Sequence, residues 1–125
     1  MLDPRVFWGK HYVLLKQDPN VTQAFKVGVT DYDGWAAYVR DGHLFLKRFT
    51  YEPDLAYPDY GASAESYVAG DFLELESVGP LRQLMPRQSL EYVEDWYLFQ
   101  DADAQDEAAV DRTVLPHVDE TAVRP

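Results

Sequence analysis

The stretch "GWAAYVRDGHLFLKRF", residues 34 to 49, decides the fold. Two apolar and aromatic runs flank Asp41-Gly42, and a two-residue type I′ turn wants such a pair because both of its central residues have positive φ. The stretch is therefore expected to be an antiparallel β-hairpin. Pairing outward from the turn sets Arg40 opposite His43, Val39 opposite Leu44, Tyr38 opposite Phe45 and Ala37 opposite Leu46. Side chains alternate along a strand, so one face carries Trp35, Ala37, Val39, Leu44 and Leu46 and reads as a core face. The other carries Ala36, Tyr38, Phe45, Lys47 and Phe49, with Arg40 and His43 at the turn end. That face is too aromatic for plain solvent. A sheet apolar on both sides is covered on both sides, by a second sheet, a partner chain or a ligand.

Working outward, "HYVLLKQ" (11–17) and "QAFKVGV" (23–29) read as two more strands, joined through the turn residues "DPN" into another hairpin. On the other side "TYEPDLAYPDYGAS" (50–63) holds Pro53, Pro58 and Gly61 and reads as a long loop. Three further strands are expected in "AESYVAG" (64–70), "DFLELES" (71–77) and "LEYVEDWYLF" (90–99), the last two joined by "GPLRQLMPRQS". Trp35 and Trp96 are expected in the core. From Gln100 the composition turns acidic with "DADAQDEAAVDR", where Asp103 fits the N-cap of a short helix. This segment offers few core residues and is expected to be dispensable for folding. The expected organisation is an all-β, antiparallel β-sandwich domain over residues 1–100, followed by an acidic segment over 101–125 that is partly helical or mobile.

The chain has 125 residues, 46% of them hydrophobic and 14% aromatic, enough to bury one core. Its formal charge of −11 repels phosphate backbones and anionic membrane surfaces, so nucleic acid and membrane are not expected as partners. No apolar run approaches the roughly 18 residues of a membrane span, and "MLDPRVFWGK" lacks the pattern of a signal peptide, which points to the cytoplasm. The absence of cysteine excludes disulfides and thiolate metal sites, and His11, His43 and His117 have no metal-ligand spacing. With no P-loop, dinucleotide fingerprint or nucleophile elbow either, neither a metal nor a cofactor is expected.

Taken together, "FKVGVTDYDGWAAYVRDGHLFLKRFTY", "YPDYGASAESY", "DFLELESVGPL" and "LEYVEDWYLF" resemble the C-terminal half of an uncharacterised domain family in the galactose mutarotase-like (aldose 1-epimerase-like) superfamily, over roughly residues 3 to 118. The resemblance implies a partial mutarotase-like supersandwich, a large antiparallel β-sandwich with a sugar-binding groove on its concave face. It also implies a carbohydrate ligand. Sugar mutarotases of this kind carry their general base on a late strand in a Leu-Glu-Thr-Gln-like motif. The counterpart here is Leu73-Glu74-Leu75-Glu76, which puts Glu74 on the base and Glu76 beside it. The general-acid histidine of that superfamily comes from the earlier half of the fold and has no match in this chain, leaving His43 as the nearest candidate acid.

The residues themselves allow that chemistry and a plainer one. Glu74 and Glu76 lie two apart on a strand, on one face and about 6.6 Å apart along it, so their carboxylates can raise one another's proton affinity and suit one for general-base work. Equally, they are two solvated glutamates on an exposed face. Glu65 is either a surface residue or an acceptor for sugar hydroxyls. Tyr57, Asp59 and Tyr60 either contact a sugar, through stacked rings and an accepting carboxylate, or pack the loop on itself. Tyr38 and Phe45 present the aromatic second face to a ligand or to a second copy of the chain. The expected function is thus carbohydrate binding, with aldose 1-epimerase-like turnover, a non-catalytic sugar-binding module and a half-sandwich that forms a homodimer as its alternatives.

Overall fold

In a computed structural model that describes residues 3–122, Asp41 and Gly42 take φ of 50° and 76°, the left-handed pair a type I′ turn needs. They join β4 (Trp35–Arg40) to β5 (His43–Arg48) in the expected register, from Arg40 opposite His43 to Ala37 opposite Leu46. At the open end Gly34 has φ of 68°, and a Cβ there would run into the Phe49 carbonyl oxygen, so only glycine closes the hairpin. β8 (Asp95–Phe99) pairs with the far side of β5, giving a three-stranded antiparallel sheet ordered β4-β5-β8.

A second antiparallel sheet is ordered β3-β6-β7, from β3 (Phe25–Val29), β6 (Ala64–Val68) and β7 (Leu73–Ser77). A two-stranded ribbon pairs β1 (Val6–Trp8) with β2 (Val13–Leu15). The chain is therefore an all-β antiparallel sandwich, with two short C-terminal helices added. The expected hairpin between residues 11–17 and 23–29 does not form. Gly9 N–H donates to the Tyr12 carbonyl at 2.9 Å and folds β2 back on β1, which takes the pairing edge the expectation gave to residues 23–29. "DPN" does turn, with Val21 N–H on the Asp18 carbonyl, but it delivers β3 to β6 instead. The last strand is also shorter than expected: residues 90–94 are irregular and pairing starts at Asp95.

The acidic C-terminal segment is part of the core, against expectation. α1 (Glu107–Thr113) and α2 (Leu115–Glu120) lay Val110, Val114 and Val118 on the face that carries Leu44 and Leu46. These valines recur every fourth residue, which makes one stripe along the helical path. The N-cap is Asp106, whose carboxylate accepts the Ala109 N–H at 2.8 Å, while Asp103, expected in that role, accepts from Gln105 N–H just before the helix. Glu107 latches the segment to the ribbon by accepting the N–H groups of His11 and Tyr12 at 2.8 and 2.9 Å. Those backbone bonds hold its carboxyl below the usual carboxylate range. At the end of β5, Arg48 donates to the Val118 carbonyl and to the Thr121 hydroxyl.

The hairpin's second face is covered at one end only. Lys47 is buried, with its ammonium 2.7 Å from the Leu75 carbonyl of β7 and 3.3 Å from Glu94, and Phe49 is buried beside it. Toward the turn, Tyr38 and Phe45 face outward, and Trp96 sets its ring edge-on against Phe45 at 5.5 Å. Trp96 is 68% exposed rather than core, because β8 is an edge strand and its indole N–H donates to Glu94. Among the described residues no helix is long and apolar enough to cross a membrane.

Candidate functional site

Strand pairing in the β3-β6-β7 sheet sorts its side chains into two faces. Val27, Val29, Ala64, Val68, Leu73 and Leu75 share the apolar one. The other carries Lys26, Gly28, Glu65, Tyr67, Glu74 and Glu76, with Glu65 directly opposite Glu76 and Glu74 opposite Tyr67. A lone glutamate pair on one strand thus becomes a cross-strand acidic group with a lysine in reach. The Lys26 ammonium stands 2.5 Å from Glu65 and 3.2 Å from Glu76. Hydrogen bonds to Glu65 first and to Glu76 second push the Lys26 pKa up, so its charge is fixed at any physiological pH.

Burial distinguishes the carboxylates. The Glu65 side chain is 4% exposed against 45% for Lys26 and 31% for Glu76. Glu74 is exposed. A carboxylate buried to that degree is costly unless it is paired, and the Lys26 bond is what compensates it. Lysine offers three donors and a carboxylate about four acceptor positions, so neither partner is saturated by the pair. Glu65 Oε1 lies beside Gly28, 3.5 Å from where a Cβ on that glycine would sit. Gly28 therefore keeps the space over Glu65 open.

That space is a pocket of about 450 Å³ lined by Lys26, Gly28, Val29, Thr30, Asp59, Tyr60, Ala62 and Glu65. The long loop supplies its outer wall. Asp59, Tyr60 and Gly61 are three consecutive residues with positive φ, at 49°, 62° and 96°. Such a conformation is routine for glycine and costs a tyrosine on the order of 1 kcal/mol. The loop is fixed in this shape by N–H groups of Gly61 and Ala62 on the Pro58 carbonyl and by the Thr30 hydroxyl donating to Gly61 at 2.9 Å. The outcome is a tyrosine ring standing wholly in solvent at the pocket rim.

Three of the residues singled out in the sequence, Glu65, Asp59 and Tyr60, thus meet around one pocket, and Glu76 reaches it through Lys26. Tyr57 does not: it is buried in the loop, its hydroxyl accepts from Glu52 N–H, and its ring packs on Tyr51 at 5.0 Å. His43 is exposed at the turn end of β5 in the other sheet and lines neither this pocket nor a second cleft between the sheets, which is walled chiefly by aliphatic side chains such as Leu14, Val27 and Leu75. Tyr38 and Phe45 also belong to the other sheet.

Lys26, Gly28, Val29, Thr30 and Ala62 are the pocket residues that sequence reasoning missed. A glycine between the two valines of a strand was the available signal, since it marks a close approach or an opening. Among the described residues no group of three histidine, aspartate or glutamate side chains is arranged to hold a metal ion. Comparison of the chain with protein-family models, with curated proteins and with solved structures finds no match.

Proposed function

We propose that the protein binds a carbohydrate in the pocket over β3 and β6. The observation that carries this reading is the buried Glu65 carboxylate, held by Lys26 and opening onto a pocket whose rim is a strained, solvent-standing Tyr60. A sugar ring has one polyhydroxyl edge and one C–H face. Glu65 and Asp59 would accept from hydroxyls, Lys26 would donate to one, and Tyr60 would lie against the C–H face. The volume lies in the range of small-ligand sites and fits a mono- or disaccharide rather than a long chain.

Binding without turnover is the preferred form of this proposal. Ring opening needs a base at the anomeric hydroxyl and a proton donor near the ring oxygen, both within hydrogen-bond reach. Glu74 and Glu76 share the pocket's face, whereas His43, the expected donor, sits in the other sheet. Calorimetric titration with a panel of aldoses tests the proposal. Saturable binding, weakened about tenfold or more by Glu65→Gln through loss of a charged acceptor, is expected. No saturable response to any aldose overturns it. Polarimetry on the same samples separates the two forms: anomer interconversion that Glu74→Gln abolishes would establish the epimerase-like one.

A further inference from the structure

A folded monomer of 14.4 kDa is expected to expose about 6,800 Å². This chain exposes 8974 Å², an excess of about 2,100 Å² over that expectation. Two apolar elements stand out. One is the uncovered face of the β4-β5-β8 sheet, where Tyr38, Phe45, Trp96 and Leu98 share one side and Leu98 is 79% exposed. The other is the arm at residues 81–93, exposed at every position although it carries Leu84, Met85, Leu90 and Val93. The arm is nevertheless ordered. Leu81 N–H donates to the Ala56 carbonyl at 2.8 Å, Arg82 pairs with Glu52, and a Met85–Gln88 turn closes on itself through two hydrogen bonds.

We infer that two copies of this chain associate by arm exchange, each laying residues 81–93 across the partner's face of Tyr38, Phe45, Trp96 and Leu98. Both halves of the contact are present on one chain: an apolar face without a cover and an apolar arm whose side chains are exposed, the arm leading into the strand that carries half of the face. A two-fold axis satisfies both at once and closes the assembly. The excess surface matches what obligate dimers bury, about 1,000–2,500 Å² per partner, and exceeds the ~800 Å² of a standard-sized contact. In a chain of −11, the exposed face carries Arg40 and His43 toward the turn and Glu94, which accepts from the Trp96 indole, at the other end, and the arm carries Arg82 and Arg87 against Glu91 alone. Two copies meeting there keep most of their acidic surface apart.

Light scattering with the parent chain and two variants tests this. The parent is expected at twice the 14.4 kDa chain mass in the micromolar range. Leu98→Asp changes the face and Leu84→Asp with Met85→Asp changes the arm, each at positions exposed in the single chain, so circular dichroism should show an unchanged fold. Each is expected to raise the dimer dissociation constant at least a hundredfold, because it buries an unpaired charge in the contact. A parent that runs as a monomer overturns the inference, as does an open-ended higher oligomer. A dimer that yields to Leu98→Asp but ignores the arm variant is a face-to-face dimer and overturns the exchange. A dimer that ignores both variants has its contact elsewhere and overturns the inference as well.

Discussion

Val114 is 1% exposed between α1 and α2, against Leu44 and Leu46 of β5, and replacing it by alanine reports whether the acidic C-terminal segment belongs to the core. The substitution removes two carbons from a closed environment. At about 0.8 kcal/mol per buried methylene the transfer part is roughly 1.6 kcal/mol, and the unfilled cavity adds about 1 more. For a chain of 125 residues, each kcal/mol lowers Tm by about 3–5 °C, so Val114→Ala should melt about 10 °C below the parent. Ending the chain after Gln100 removes Val110, Val114 and Val118 together and strips the cover from Leu44 and Leu46. At about 1.5–3 kcal/mol per valine, that loss approaches the whole stability of a small domain, and the shortened chain should be unfolded at room temperature. Thermal unfolding followed by circular dichroism reads both. A drop below about 3 °C for Val114→Ala, or a cooperative transition in the shortened chain, would refute the docking of the helices.

Glu107 has a folded-state pKa below its ordinary value of 4.5, so its stabilisation is complete above that value and is lost as pH falls through the lower folded one. Tm should fall on acidification below about pH 4.5, and more gently in Glu107→Gln, whose side chain has no charge to lose; parallel profiles would contradict this. Gly34→Ala should cost about 2 kcal/mol or more in denaturant unfolding, since φ there is 68° and the new Cβ meets the Phe49 carbonyl; an unchanged midpoint would show that the hairpin end can relax. Tyr60→Gly should leave Tm unchanged or raise it by a few degrees, because relief of a left-handed tyrosine offsets the added freedom of the unfolded chain, while sugar affinity falls. A clear loss of stability would mean that the ring packs rather than waits for a ligand.

What could be read in the sequence was what is decided locally. Asp41-Gly42 allows one turn type, and that turn fixes the register of every residue from Trp35 to Arg48. What could not be read was pairing chosen between distant segments. "QAFKVGV" carries the same alternation whether its partner is residues 11–17 or β6, and only the second choice brings Lys26 beside Glu65 and Glu76. The site was half legible for that reason. Glu65, Asp59 and Tyr60 drew notice as carboxylates and a ring on a strand and a long loop, whereas Lys26 and Gly28 gain meaning only from the register. Positive φ at Asp59 and Tyr60 had no sequence marker beyond Gly61. In the C-terminal segment the stripe of Val110, Val114 and Val118 was present but overshadowed by the acids around it, most of which, such as Asp111, Asp119 and Glu120, sit on the solvent side.

The most direct test of carbohydrate binding at Glu65 is a heteronuclear NMR titration of the parent chain with aldoses, following backbone amides individually. Saturable shifts confined to Lys26, Gly28, Thr30, the Asp59–Ala62 turn and Glu65, absent from β5 and β8 and reduced in Glu65→Gln, are the predicted result. Amides that do not move with any sugar, or that move only around Trp96 and Leu98, would contradict it.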